Sequence, residues 1–268
     1  MWSRAAGSFL FVSAEDLKNK RILGLAGYPL SHSFSPAYFA EKFRRPGLEN
    51  WEYRLLELRK PEELRAIVRA EDGWAGFNVT IPHKQTIAGM LDSCDSLVAK
   101  TGAVNVVKIM PDGSWSGYNS DYYGFLHSLL QWMPFHRWSG KTALVFGTGG
   151  SSLAVSAVLE DLGILYEKVS RTPHERSSVI SYESLNSEIM KSADLLVQTT
   201  PVGMYPQDTA ILPLPEMPFS PGQMVMDLIY NPAKTPFLRR AEASGALIQN
   251  GLTMLHAQAE KAWEIWNY

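Results

Sequence analysis

The chain alternates short apolar runs with amphipathic stretches. Ile22 to Ala26 is an unbroken apolar run closed by Gly27-Tyr28-Pro29 and reads as a buried strand. Ser35-Pro36 reads as a helix N-cap followed by proline at the first helical position, opening a helix to about Phe43. Trp51 to Leu56 predicts a second strand. Lys60-Pro61-Glu62-Glu63 opens a helix through Val68, and Trp74 to Thr80 is a third strand stopped by Pro82. Val104 to Ile109 and Trp115 to Tyr118 predict two strands joined by the turn Pro111-Asp112-Gly113. A helix from about Tyr122 to Trp132 follows, and Pro134 to Gly140 reads as a hinge.

The alternation then restarts. Thr142 to Phe146, Leu165 to Val169, Asp194 to Gln198, Met224 to Leu228 and Ala246 to Ile248 predict strands, with a helix over Gly150 to Leu162. Pro213 to Pro221 reads as a surface loop. The last helix, Leu252 to Trp266, has apolar residues at helical spacing and suits folding back onto the first half. Two rounds of alternation predict an α/β protein of two domains, its first sheet mainly parallel and covered on both faces. The expected division is 21–121 with the C-terminal helix 252–268, and a Rossmann-like unit over 122–251.

A chain of 268 residues is long enough for two cores. A net charge of −2 without a long basic run argues against a nucleic-acid partner. No stretch reaches the ~20 apolar residues of a membrane span. The single Cys94 excludes an intrachain disulfide and fits a reducing, cytoplasmic setting; with no second Cys or clustered His beside it, no metal site is expected there. Residues 1–20 read as a short extension: the apolar run Phe9 to Val12 is brief, and Glu15, Asp16 and Lys18 follow at once.

The turn Gly147-Thr148-Gly149-Gly150 lies between a predicted strand and a predicted helix. Glycines there let a pyrophosphate approach the amides of the helix N-terminus, so the segment reads as a dinucleotide site. The next strand ends in Ser170-Arg171-Thr172, where an NAD site usually carries a carboxylate. A carboxylate repels a 2′-phosphate and an arginine pairs with it, so NADP is the expected cofactor. Glu175 weakens that preference, and Arg176 partly offsets it.

Polar residues gather near predicted strand ends. Ser33 and Ser35, two apart, face one side of an extended segment and suit one anion at a helix N-terminus; a turn and a helix cap account for them equally well. Asn78 and Thr80 share a strand face, and Pro82 turns Lys84 towards the strand end. Spacing alone does not pair Lys84 with Asp121: a solvated lysine is the default, and Asp121 equally suits capping the helix at Tyr122.

In order along the chain stand Gly27-Tyr28-Pro29-Leu30-Ser31-His32-Ser33-Phe34-Ser35-Pro36, Phe77-Asn78-Val79-Thr80-Ile81-Pro82-His83-Lys84, Gly102-Ala103-Val104-Asn105 and Gly117-Tyr118-Asn119-Ser120-Asp121. The glycine turn, Thr199-Thr200-Pro201-Val202-Gly203-Met204, Asp227-Leu228-Ile229-Tyr230-Asn231-Pro232 and Gly251-Leu252-Thr253-Met254-Leu255-His256-Ala257-Gln258-Ala259 follow. From about Arg21 to Trp266 this series closely resembles the shikimate dehydrogenase family. The resemblance implies reversible reduction of 3-dehydroshikimate to shikimate with NADPH, on the route to chorismate and the aromatic amino acids, by a monomer or homodimer. It implies that Ser33 and Ser35 hold the substrate carboxylate and that Thr80, Asn105, Tyr230 and Gln258 complete the substrate site. Lys84 and Asp121 become the catalytic pair. Gly147, Gly149 and Gly150 take the pyrophosphate, Ser170, Arg171 and Thr172 the 2′-phosphate, and Met204, Gly251 and Met254 the nicotinamide side.

The chain departs from the family's frequent pattern at Ser170 (often Asn), Glu175 (often Arg), Gln198 (often Asn) and Ser120 (often Thr). A dual shikimate and quinate dehydrogenase using NAD as well is the nearer rival, and a non-catalytic ligand sensor on the same fold the more distant one. Lys84 and Asp121 together speak against the sensor. A folate dehydrogenase of similar architecture also uses a lysine but leaves Ser33 and Ser35 without a role.

Overall fold

The computed structural model describes residues 20–31, 33–172 and 179–268. The readings at residues 1–19, His32, Glu175 and Arg176 lie outside them. The first half runs β1 (Arg21–Gly27), α1 (Ser35–Lys42), β2 (Trp51–Glu57), α2 (Glu63–Arg69), β3 (Trp74–Val79), β4 (Ser93–Cys94), α3 (Ser96–Thr101), β5 (Val106–Ile109) and β6 (Trp115–Tyr118). These strands form one sheet in the order β2-β1-β3-β5-β6-β4. Only β5 opposes the rest, pairing antiparallel with β3 and β6. The tight turn after β5 forces that direction, whereas the helical crossovers after β1 and β2 return the chain parallel. Both faces are covered. Leu64, Ile87 and Val98 pack on one, and Phe39, Ala262 and Trp266 on the other.

The second half runs α4 (Asp121–Trp132), β7 (Thr142–Phe146), α5 (Gly150–Asp161), β8 (Leu165–Ser170), β9 (Val179–Ser181), α6 (Ser187–Ser192), β10 (Leu195–Gln198), β11 (Met224–Asp227), α7 (Pro236–Ala243), β12 (Leu247–Gln249) and α8 (Leu252–Asn267). Its sheet is parallel throughout, in the order β12-β11-β10-β7-β8-β9. The order reverses between β7 and β10, the position at which doubly wound sheets open a ligand crevice. The α/β, two-domain architecture read from the sequence is therefore the observed one.

Several elements differ from the expectation. β4, α3, β9, α6 and α7 were not foreseen; each has eight residues or fewer, too few for a clear period. α1 begins at Ser35 itself, Phe34 occupies the N-cap position, and among the described residues no side chain caps the helix. Asp121 is no cap either: Asn119 Oδ1 accepts from the Tyr122 amide at 3.1 Å. Val104 and Asn105 precede β5: the Val104 amide turns to the Lys84 carbonyl at 2.7 Å, while the Asn105 backbone still accepts from the Val79 amide at 2.9 Å and donates to the Tyr118 carbonyl at 3.1 Å. The stretch Pro213 to Pro221 is a loop, but not wholly a surface one, because Phe219 is buried against Phe237 with ring centroids 5.5 Å apart. Within the segment read as a hinge, Trp138 is 0 % exposed in the core under β7, and its Nε1 donates to the Met133 carbonyl at 3.1 Å.

Two helices join the halves. Phe125 and Leu129 of α4 pack on the second sheet together with Met254 of α8. Further along α8, Ala259, Ala262 and Trp266 pack on the first sheet, and Trp266 Nε1 donates to the Val107 carbonyl at 3.0 Å. A buried Lys42 on α1 reaches Glu260 Oε2 at 2.5 Å, and the Tyr38 hydroxyl bonds the same carboxylate. The C-terminal helix thus returns to the first domain. Replacing Trp266 by alanine would leave a cavity of the kind that costs about 3–5 kcal/mol.

Candidate active site

Residues just past the C-terminal ends of strands from both sheets meet in one cleft. A cavity of about 250 Å³ is lined by Ser33 and Ser35 beyond β1, Thr80 and Lys84 beyond β3, and Asn105 before β5. Asp121 in the first turn of α4, Tyr230 beyond β11 and Gln258 on α8 close it. Lys84 Nζ lies 2.5 Å from Asp121 Oδ2, and the two side chains are 14 % and 7 % exposed. Neither is the solvated or capping residue that spacing alone allowed.

Asn105 organises the floor. Its Oδ1 accepts from the Ser120 amide at 2.7 Å, which orients the side-chain amide. Nδ2 then points to Asp121 Oδ1 at 2.9 Å, Ser120 Oγ at 3.0 Å and Gln258 Oε1 at 3.3 Å. Asp121 is therefore held by an ammonium on one oxygen and by an amide on the other, the arrangement a buried carboxylate requires. A second chain of bonds runs under α1. The Tyr53 hydroxyl donates to Asn78 Oδ1 at 2.7 Å, and Asn78 Nδ2 donates to the Asn105 carbonyl at 3.2 Å. Burial pushes the Tyr53 phenol far up, and a hydrogen bond from Ser35 works against that push. Tyr230 is raised by burial too, opposed by a hydrogen bond from the Phe34 backbone. Phe34 also meets the Tyr230 ring edge-on, centroids 5.8 Å apart, so the loop beyond β11 is seated on the Ser33–Ser35 segment.

A second cavity, about 570 Å³, adjoins the first and shares Lys84, Ser151, Thr199 and Thr200 with it. Gly147, Gly149, Gly150, Ser170 and Arg171 line it. Gly147 has φ +115°, and a Cβ there would meet Thr199 Oγ1 at 2.6 Å, so only glycine makes this turn. A Cβ on Gly149 would meet nothing within 4 Å; the turn leaves room for a ligand group against the backbone. Among the described residues no side chain caps α5, which leaves its first amides for a phosphate. The residues present fit a dinucleotide.

A chain from Desulforamulus reducens named shikimate dehydrogenase (NADP(+)) is 35% identical to this one, covering 92% of this chain and 89% of its own length. The chain belongs to the shikimate dehydrogenase family. The family described as shikimate dehydrogenase substrate binding domain matches residues 25–107. A shikimate dehydrogenase (NADP(+)) from Methanococcus maripaludis is 38% identical over 94% of this chain and 92% of its own. Among solved structures, a shikimate 5-dehydrogenase from Thermus thermophilus in complex with NADP(H) and shikimate superposes with a TM-score of 0.78 at 32% identity, covering 92% of this chain and 93% of that one.

Against the residues singled out by their likeness to shikimate dehydrogenases, the structure gathers nearly all. Met204, Gly251 and Met254 line the first cavity with the substrate-side residues. Gly251 is a site of close approach, since a Cβ there would meet the Leu228 carbonyl oxygen at 1.9 Å. Thr172 is the exception: it is exposed and lines neither cavity, its amide donating to Ser170 Oγ at 3.3 Å. Sequence reasoning assigned no role to Tyr53, Ser120, Ser151 or Thr199. Thr199 follows the end of β10, where ligands of parallel sheets collect, and that rule was signal enough to find it. Tyr53 carries no such signal, because only the fold brings β2 under Ser35.

Proposed function

We propose that this protein reversibly reduces 3-dehydroshikimate to shikimate with NADPH, a step towards chorismate and the aromatic amino acids. The observation that carries the reading is the Lys84–Asp121 pair, 2.5 Å apart, at the junction of a polar cavity and a dinucleotide cavity. In this reading Ser33 and Ser35 hold the substrate carboxylate, while Thr80, Asn105, Tyr230 and Gln258 hydrogen-bond the carboxylate and ring hydroxyls. Gly147, Gly149 and Gly150 face the pyrophosphate. Ser170, Arg171 and Thr172 take the 2′-phosphate side, and Met204, Gly251 and Met254 the nicotinamide side. Residues 21–121 with 252–268 form the substrate unit, and 122–251 the cofactor unit.

The bound dinucleotide supplies or accepts the hydride. Everything else falls to the chain. In reduction, Lys84 donates the proton that the carbonyl oxygen needs as it becomes an alcohol; in oxidation it takes that proton back. An ammonium at that oxygen also stabilises the negative charge developing there. Asp121 fixes the Lys84 amine, and Asn105 fixes Asp121. Closure of the two domains over a bound substrate would exclude water around the reacting atoms.

Among the described residues no helix is long and apolar enough to cross a membrane. The setting proposed is the cytoplasm, as a monomer or homodimer. Purified protein should reduce NADP with shikimate in a spectrophotometric assay; quinate and NAD, run alongside, separate a dual-specificity enzyme. Binding of shikimate without turnover would leave the sensor reading in its place.

A further inference from the structure

The second cavity holds an aromatic residue that the proposed chemistry does not use. β8 and β9 are parallel, and Ser170 is in register with Ser181. Arg171 and Tyr182 therefore emerge side by side at the same sheet edge, and both line the cavity that contains the glycine turn. The Tyr182 ring stacks on Phe146, the residue before Gly147, with centroids 6.3 Å apart and planes 23° apart. That packing fixes the ring. Burial pushes the phenol up to about 12, and the Arg171 guanidinium opposes the push, so the two groups lie within electrostatic reach. The phenol is thus a neutral donor at ordinary pH. It lies next to a cation, and no described residue takes its proton in a hydrogen bond.

Arg171 and Lys84 are the only basic side chains among the described residues lining this cavity, and Lys84 is engaged by Asp121. A phosphate monoester dianion has three strong acceptor oxygens, more than one guanidinium fork fills. Resting on the reading of this cavity as an NADP site, we infer that Tyr182 is a second specificity determinant for the 2′-phosphate, its hydroxyl donating to the phosphate beside Arg171. The alternative is that Tyr182 merely closes the edge of the hydrophobic core next to Phe146, a role that needs the ring and not the hydroxyl.

Removing only the hydroxyl tells these apart. Calorimetric titration of the full-length protein with NADP, NAD, adenosine 2′,5′-bisphosphate and AMP needs no turnover. Tyr182→Phe should weaken NADP and the bisphosphate by roughly ten-fold or more, the worth of a hydrogen bond to a charged group. NAD and AMP should bind as before, and the thermal midpoint of the free protein should stay put. Unchanged affinity for all four ligands would overturn the inference. Equal losses for the phosphorylated and unphosphorylated ligands would overturn it too, by moving the contact to adenine or ribose. Arg171→Ala, titrated in parallel, separates this failure from failure of the cofactor reading. If Arg171→Ala loses NADP selectively and Tyr182→Phe does not, only the role of Tyr182 falls. If wild type and Arg171→Ala both bind NADP and NAD alike, the NADP reading falls with it.

Discussion

Lys84→Met is the sharpest perturbation of the proposed chemistry. Alanine would do more than remove an amine: a Cβ built on Gly150 lies 3.2 Å from Lys84 Cβ and 3.3 Å from Lys84 Cδ, so the lysine stem packs against the glycine turn. Methionine keeps that stem and loses the proton donor. It also leaves Asp121 with Asn105 Nδ2 as its remaining partner in a site where the carboxylate is 7 % exposed. Breaking a buried pair from one side costs about 3–5 kcal/mol, so a lower thermal midpoint is expected. For turnover, loss of a positioned acid or base costs typically ~10²- to 10⁴-fold. Loss of one charge-assisted ground-state hydrogen bond raises the substrate KM by up to about 150-fold, so the fall in kcat, not the change in KM, carries the test. Asp121→Asn keeps an acceptor for Asn105 but turns an amide donor towards the Lys84 ammonium, so kcat should fall again. Because the two act as a unit, the double variant should be no slower than the worse single one. Steady-state NADP reduction over a range of shikimate concentrations gives kcat and KM separately. Turnover within a few-fold of wild type in Lys84→Met, or losses that multiply in the double variant, would refute the pairing.

Ser33→Ala and Ser35→Ala should each raise the KM for shikimate by about 10- to 150-fold, the range for hydrogen bonds to a charged group; unchanged KM in both would leave the serines structural. Ser35→Ala should also lower the thermal midpoint through its lost bond to Tyr53, and not through a helix cap, which α1 lacks. Arg171→Ala should cut kcat/KM with NADP far more than with NAD, and equal cuts would remove Arg171 from the phosphate. Burial raises the Asp227 carboxyl from 3.8 to about 7, even though Thr235 Oγ1 and the Ile229 amide both donate to it. A carboxyl raised in the folded state contributes fully below about pH 4 and loses that contribution as pH climbs to about 7, with no further change above. At ~1.4 kcal/mol per unit, the swing is on the order of 4 kcal/mol. Asp227→Asn should flatten the pH dependence of the thermal midpoint across that window, and a persisting slope would show that the dependence arises elsewhere.

What the sequence made legible follows from what each signal measures. The strands β1, β7 and β11 are buried along nearly their whole length, so their apolar runs Ile22 to Ala26, Ala143 to Phe146 and Met224 to Met226 are easily read. The glycine turn was readable because Gly147 adopts a backbone conformation that a side chain would block. By contrast, α7 and β9 are fixed by their neighbours: Phe237 and Leu238 pack in the second core, and the three residues of β9 exist by pairing with β8. The pairing of Lys84 with Asp121 spans 37 positions and two elements, so no local spacing encodes it. Resemblance supplied it, and the fold then accounted for it through Asn105, whose amide reaches Asp121 only because Asn105 bonds the Ser120 backbone. Ser35 was misread as a cap because its residue type suits that local role, while a tertiary partner, Tyr53, claims it.

α8 explains why both cavities depend on one another. Gly251 packs its first turn onto the Leu228 carbonyl just past β11, which fixes the helix against the second sheet. Met254, one turn on, lies in the core of that sheet and lines the first cavity. Gln258, four residues further and on the same face, accepts from Ser120 Oγ and Asn105 Nδ2 on the first domain. Glu260 and Trp266 then anchor the helix to α1 and β5. A rigid rod therefore runs from the Leu228 carbonyl beside β11 to the polar floor, and Asn105 connects its Gln258 to Asp121 and hence to Lys84. Any rotation of one domain against the other must move Gln258 relative to Asn105 or Met254 relative to its core. The hydrogen bonds at 3.3 Å are the weaker link compared with a buried methionine, so relative motion of the domains is expected to break at Gln258 first. A substrate bridging Gln258 and Lys84 would close that link, which gives the C-terminal helix a physical reason to return to a domain whose sheet was completed more than a hundred residues earlier.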